Sequence, residues 1–111
     1  MEAGVRFVQC QATYRLPADV GRTSNWDDHS VNCDIFRTIA LKMPQFDQSV
    51  SALIEDLSER GMLDETLFVA LAEFGRTPKF NAVGGRDHWG HVFSLMLCGG
   101  GIRRGVVYGS S

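Results

Sequence analysis

The chain has 111 residues, 44% of them hydrophobic and 22% charged, a balance that fits an ordinary globular protein and excludes disordered, collagen-like and membrane-embedded classes. A formal charge of −2 and a pI near 5.8 leave no broad basic field, so nucleic acid is not an expected partner. No stretch approaches the roughly 20 apolar residues of a membrane span, and the start, MEAGVRFV, lacks the regions of a signal peptide.

Residues 4 to 10, GVRFVQC, set Val5 and Phe7 against Arg6, Val8 and Cys10, a short β-branched run that predicts a buried strand. Residues 11 to 29 have no sustained period and read as a long loop ending in Trp26-Asp27-Asp28-His29. From Ser30 the pattern is helical: Ile35, Phe36, Ile39, Ala40 and Met43 share a face, with Ser30 or Asn32 as cap. Pro44 interrupts that face and suits the first turn of a second helix over 44–60, whose apolar stripe is Phe46, Val50, Leu53, Ile54 and Leu57. Gly61 then fits the left-handed position past its end.

Asp64 and Glu65 make a turn before Thr66 to Ala72, an unbroken apolar run that predicts a strand covered on both faces. It is expected to be central, parallel to 4–10, with the helix at 44–60 crossing over on one face. A loop from Glu73 to Trp89 leaves its carboxyl end, the edge where ligands bind in open α/β sheets. Val92 to Cys98 reads as a further strand, Gly99 to Gly101 as a turn, and Gly105 to Tyr108 as a last short strand. No internal repeat or linker interrupts the series. With strands so close to both termini, the chain is expected to be one part of a single α/β domain, cut at both ends.

Two clusters carry the chemistry. Asp27, Asp28 and His29 offer carboxylates and an imidazole beside Trp26, suited to a divalent cation, although acids at this place also cap a helix and balance its dipole. Glu73, Asp87 and His88 lie in a glycine-rich loop with Arg76 and Arg86. The arginines can hold an anion by paired hydrogen bonds, or can simply pin the loop. His91 reads as incidental, and Gly99-Gly100-Gly101-Ile102-Arg103-Arg104-Gly105 lacks the pattern of a phosphate loop. Cys10, Cys33 and Cys98 are far apart, without a C-x-x-C pair, and read as small buried hydrophobes.

These residues stand in segments that resemble a known family. EAGVRFV at 2–8, WDDH at 26–29, the L-x-x-RGMLDETLFV run at 57–69, EFGRTP at 73–78, GGRDHW at 84–89 and GGGIRRGVVYG at 99–109 look like the domain-of-unknown-function family numbered 1501, a sulfatase-like member of the alkaline phosphatase superfamily. The resemblance covers nearly the whole chain in order, and EFGRTP followed by GGRDHW is its most specific part.

The resemblance implies an α/β fold, part of the doubly wound sheet of alkaline phosphatase and sulfatase type. Residues 1–111 would be the C-terminal part of one such domain. It further implies a metal-dependent hydrolase of sulfate or phosphate esters, in which Asp27, His29, Glu73 and His88 follow the order of the superfamily's late metal ligands. The cofactor would be a divalent ion, zinc, calcium, magnesium or manganese. Asp87 would orient His88, and Arg76 or Arg86 would hold the anionic ester, such as a sulfated polysaccharide or a phosphoester. A periplasmic or extracellular location is the family's expectation. The chain departs from the pattern at Glu73-Phe74, where the superfamily has Asp-His, and at Asp28, Ser30 and Gly90. The superfamily's nucleophile lies upstream of position 1, so no nucleophile is assigned, and the isolated chain is expected to be inactive and poorly soluble. The rival reading is a noncatalytic domain that binds a metal or an anion.

Overall fold

The computed structural model describes residues 3–14, 26–29 and 34–110. Its elements, in chain order, are helix α1 (Ile35–Glu59), a 3-10 turn (Leu63–Glu65), and strands β1 (Leu67–Ala70), β2 (Gly75–Arg76), β3 (His88–Trp89) and β4 (Met96–Gly99). The chain is therefore mixed helix and sheet, and the sheets among the described residues are two antiparallel pairs, β1 with β4 and β2 with β3.

One helix replaces the two expected on either side of Pro44, which lies inside α1. A proline there removes the hydrogen bond to the carbonyl four residues back, that of Ala40. Both Pro44 and Ala40 are on the exposed face, where water can meet the freed carbonyl, so the helix runs on. Its cap is Asp34, whose carboxylate accepts the Phe36 N–H at 2.9 Å; Ser30 and Asn32 lie outside the described residues. The C-terminus ends as expected: Gly61 takes φ +65°, its N–H bonds the Ser58 carbonyl, and the Met62 N–H bonds that of Leu57, which is the paired closure of a Schellman turn.

The buried stripe of α1 differs from the one its hydropathy suggests. Thr38, Lys42 and Leu57 are buried and Ile35, Phe46, Val50 and Ile54 half-buried, whereas Phe36, Ile39, Ala40, Met43 and Leu53 are exposed. These inner positions fall at spacings of three and four, as one helical face requires.

The apolar core of the described residues gathers at the far end of the helix. Leu57 and Leu63 are its buried aliphatic residues, and the turn after β4 closes on them through the Gly100 N–H to the Leu63 carbonyl at 2.9 Å. β1 is shorter than the expected 66–72 strand. Its register runs Leu67 opposite Gly99 to Ala70 opposite Met96, so its partner is the antiparallel β4 and not a parallel strand at 4–10. Residues 4–10 form no strand, with Val5, Phe7 and Val8 exposed, because a strand needs a neighbour for its backbone groups and none of the described residues pairs with this segment. Likewise 105–108 is not a strand, and Val107 is 92% exposed. Residues 92–95 precede β4 without joining it, while the turn after Gly99 forms as expected, the Ile102 N–H reaching the Gly99 carbonyl at 3.0 Å. Among the described residues no helix is long and apolar enough to cross a membrane.

Candidate functional site

The loop Trp26–His29 is held from outside by the segment 76–86. Three of its carbonyls accept from that segment: Trp26 from an Arg76 guanidinium nitrogen at 3.3 Å, Asp28 from the Arg86 N–H at 3.1 Å, and His29 from Asn81 Nδ2 at 2.7 Å. Asn81 organises that segment as well. Its Oδ1 accepts the N–H groups of Val83 and Gly85, and its Nδ2 also donates to Asp87, so the amide's donors and acceptors are fully used. Sequence reasoning passed over Asn81; the signal was an Asn with Gly-Gly three and four residues on, the composition of a side-chain-braced turn.

The β2–β3 pair sets Arg76 opposite His88, and both reach back to the loop. Asp27 Oδ1 accepts from His29 Nδ1 at 2.7 Å, from His88 Nε2 at 2.6 Å and from Arg76 at 2.9 Å. A carboxylate can only accept, so these bonds place a hydrogen on His29 Nδ1 and on His88 Nε2. The two imidazole rings lie 4.2 Å apart, and the Phe74 ring packs on His88 at 4.4 Å.

Of the residues expected to act together, Asp27, His29 and His88 come together: their ligand atoms all lie within 4.8 Å of one another. Glu73 is not in this group. It is exposed, and it is its neighbour Phe74 that faces His88. Nor does Asp87 hold His88, since its carboxylate takes the Asn81 amide and His88 is held by Asp27 itself. Arg76 spends its terminal nitrogens on Asp27, Trp26 and the Arg86 carbonyl. Arg86 donates to the carbonyls of Thr77 and Arg76, so both guanidinium groups cross-link the loop in this structure.

On the opposite side of the loop Asp28 is buried against Lys42 of α1, Oδ2 to Nζ 2.6 Å, with the lysine side chain wholly inaccessible. Trp26 lies over that ammonium at 5.4 Å, stacks edge-on against Phe46 and donates its indole N–H to Ala12. A lysine inside a helical pattern reads as solvated, and this pair was missed for that reason.

Burial works against the charge of Asp27. The hydrogen bonds from His88, Arg76 and His29 and the electrostatic influence of His88 more than reverse it, holding the carboxyl well below the usual carboxylate range. With the folded-state value depressed, the unfolded chain takes up the proton first as the pH falls. The stability Asp27 contributes is therefore complete above the unfolded value of about 3.9 and is lost progressively below it. Urea unfolding between about pH 5 and pH 2 is expected to show a steeper acid loss in the wild type than in Asp27→Asn. Parallel curves would mean that the network does not favour the charged carboxylate.

One carboxylate and two imidazoles suit zinc, manganese or a similar divalent ion. Donors around a tetrahedral ion with bonds of about 2.0–2.1 Å sit roughly 3.3 Å apart. The 2.6 and 2.7 Å contacts here are hydrogen bonds, so a metal at these atoms requires a small outward movement, a lone pair on each ring nitrogen and withdrawal of the Arg76 charge from Asp27. The donor set fits such an ion.

No curated protein and no solved structure matches the chain. A family model does, over residues 1–111, and its description is "Protein of unknown function (DUF1501)".

Proposed function

The chain belongs to the DUF1501 family, and on that premise we propose that Asp27, His29 and His88 hold a divalent metal ion in a sulfatase-like hydrolase domain acting on sulfate or phosphate esters. The observation that carries this reading is the convergence of three ligand atoms within 4.8 Å from positions up to 61 residues apart. A cation so held supplies Lewis acidity toward an ester oxygen. The chain's own part is to orient the donors: Phe74 packs on the His88 ring, and Asn81 fixes the backbone at His29. Within this reading the doubly wound sheet of alkaline phosphatase type is the fold of the whole domain, an exported location goes with it, and Glu73 is the candidate fourth ligand.

A noncatalytic binding domain is the second reading. It is favoured by the two arginines, whose donors are directed at protein carbonyls and at Asp27 instead of at an open pocket.

Calorimetric titration of the metal-stripped protein with Zn2+ and Mn2+ tests the proposal. One equivalent is expected to bind, with affinity reduced at least about 100-fold in His88→Ala, the loss of one of three ligands. In the same titration a clear loss in Glu73→Gln would add Glu73 to the set. Equal binding by wild type and His88→Ala would remove the metal from this site.

A further inference from the structure

We propose that the buried Asp28–Lys42 pair is the positioning device of the cluster, fixing the loop Trp26–His29 on α1 so that Asp27 and His29 meet His88. Asp28 joins the helix to the segment that carries His88. Its side chain goes to the helix through Lys42 at 2.6 Å, and its carbonyl goes to the segment that carries His88 through the Arg86 N–H at 3.1 Å. The residues on either side, Asp27 and His29, bond to each other.

Stability does not account for such a pair. Taking a carboxylate and an ammonium out of water costs about as much as their attraction returns, and apolar pairs of similar volume commonly do as well or better. What an ion pair adds is a single geometry, where apolar side chains can slide. The helix contributes a second point of contact one turn on: Trp26 lies over Lys42 and packs against Phe46. Two attachments four residues apart define both the height and the rotation of the loop on the helix. The Gly85 backbone passes close behind it: a Cβ there would stand 2.9 Å from the Asp28 carbonyl oxygen.

The inference deepens the metal reading, but it has a readout that needs no metal. In the full chain, the double variant Lys42→Met with Asp28→Leu removes both charges together and is expected to unfold cooperatively, close to the wild-type midpoint. It should lose the nuclear Overhauser contact between the His29 and His88 rings, which are 4.2 Å apart in the wild type, and its affinity for Zn2+ should fall about tenfold or more. A folded double variant that keeps both the ring contact and the affinity would overturn the proposal and leave the pair a packing feature. If the double variant does not fold, Lys42→Arg decides. It keeps the ion pair on a longer, planar head group, and is expected to shift both histidine ring signals and to change Zn2+ affinity at least about threefold; unchanged signals and affinity overturn the proposal. A wild type that takes no Zn2+ would refute the metal reading, while the ring contact would still decide this one.

Discussion

Lys42→Met alone is expected to destabilise the protein by about 3–5 kcal/mol, the cost of removing one partner of a buried ion pair. The wild-type geometry makes a cost at this level reasonable. Both side chains are almost completely inaccessible, at 0% for Lys42 and 4% for Asp28, so water cannot take over the role of the lost ammonium. A methionine keeps most of the lysine's volume and removes its charge, which separates the electrostatic effect from a cavity. Urea unfolding at neutral pH measures it. A loss below about 1 kcal/mol, the range of an exposed ion pair, would mean that the pair is solvated and that α1 does not hold the loop in the way described.

The second large effect is expected at Gly75. A Cβ there would stand 1.6 Å from the Val92 carbonyl oxygen and 3.2 Å from that of Trp89, both of them backbone atoms that cannot rotate aside. Gly75→Ala must therefore push the chain between Trp89 and Val92 away from β2, breaking the register that sets Gly75 against Trp89 and Arg76 against His88. A cost of about 3 kcal/mol is expected, the upper end of what overpacking brings. The more informative result is at a distance: with β3 displaced, His88 leaves Asp27, and the ring contact with His29 disappears. Hydrogen exchange should find the amides of β2 and β3 deprotected while those of α1 stay slow. Uniform protection with normal stability would mean that Val92 yields at little cost.

What could be read from the sequence divides along physical lines. Local chemistry was legible: Gly61 closes the helix because only glycine takes its positive φ without strain, and the apolar run after Glu65 supplies a strand. Two polar residues in the stripe concealed the inner face of α1. Periodicity counted Ile39 and Met43 as core, whereas the face turned inward is the one bearing Thr38 and Lys42, and a lysine that finds a carboxylate is buried despite its hydropathy. The parallel sheet failed for a nonlocal reason. An apolar run specifies a strand but not its partner, and β1 takes β4 in antiparallel register. At the site, the ligand order implied by the family resemblance named Asp27, His29, Glu73 and His88, of which the structure brings Asp27, His29 and His88 together. Which of two adjacent residues faces the cluster is set by the turn into β2, and that turn presents Phe74 while Glu73 lies exposed.

The claim on which the rest turns is that Asp27, His29 and His88 are ligands and not only a hydrogen-bonded network. Anomalous diffraction at the zinc edge, from crystals soaked in Zn2+, measures this directly. One strong peak is expected, bonded at about 2.0–2.2 Å to Asp27 Oδ1 and to a ring nitrogen of each histidine, with the Arg76 guanidinium moved off the carboxylate. A map in which Arg76 still holds Asp27, and zinc is absent or lies on other side chains, would contradict it.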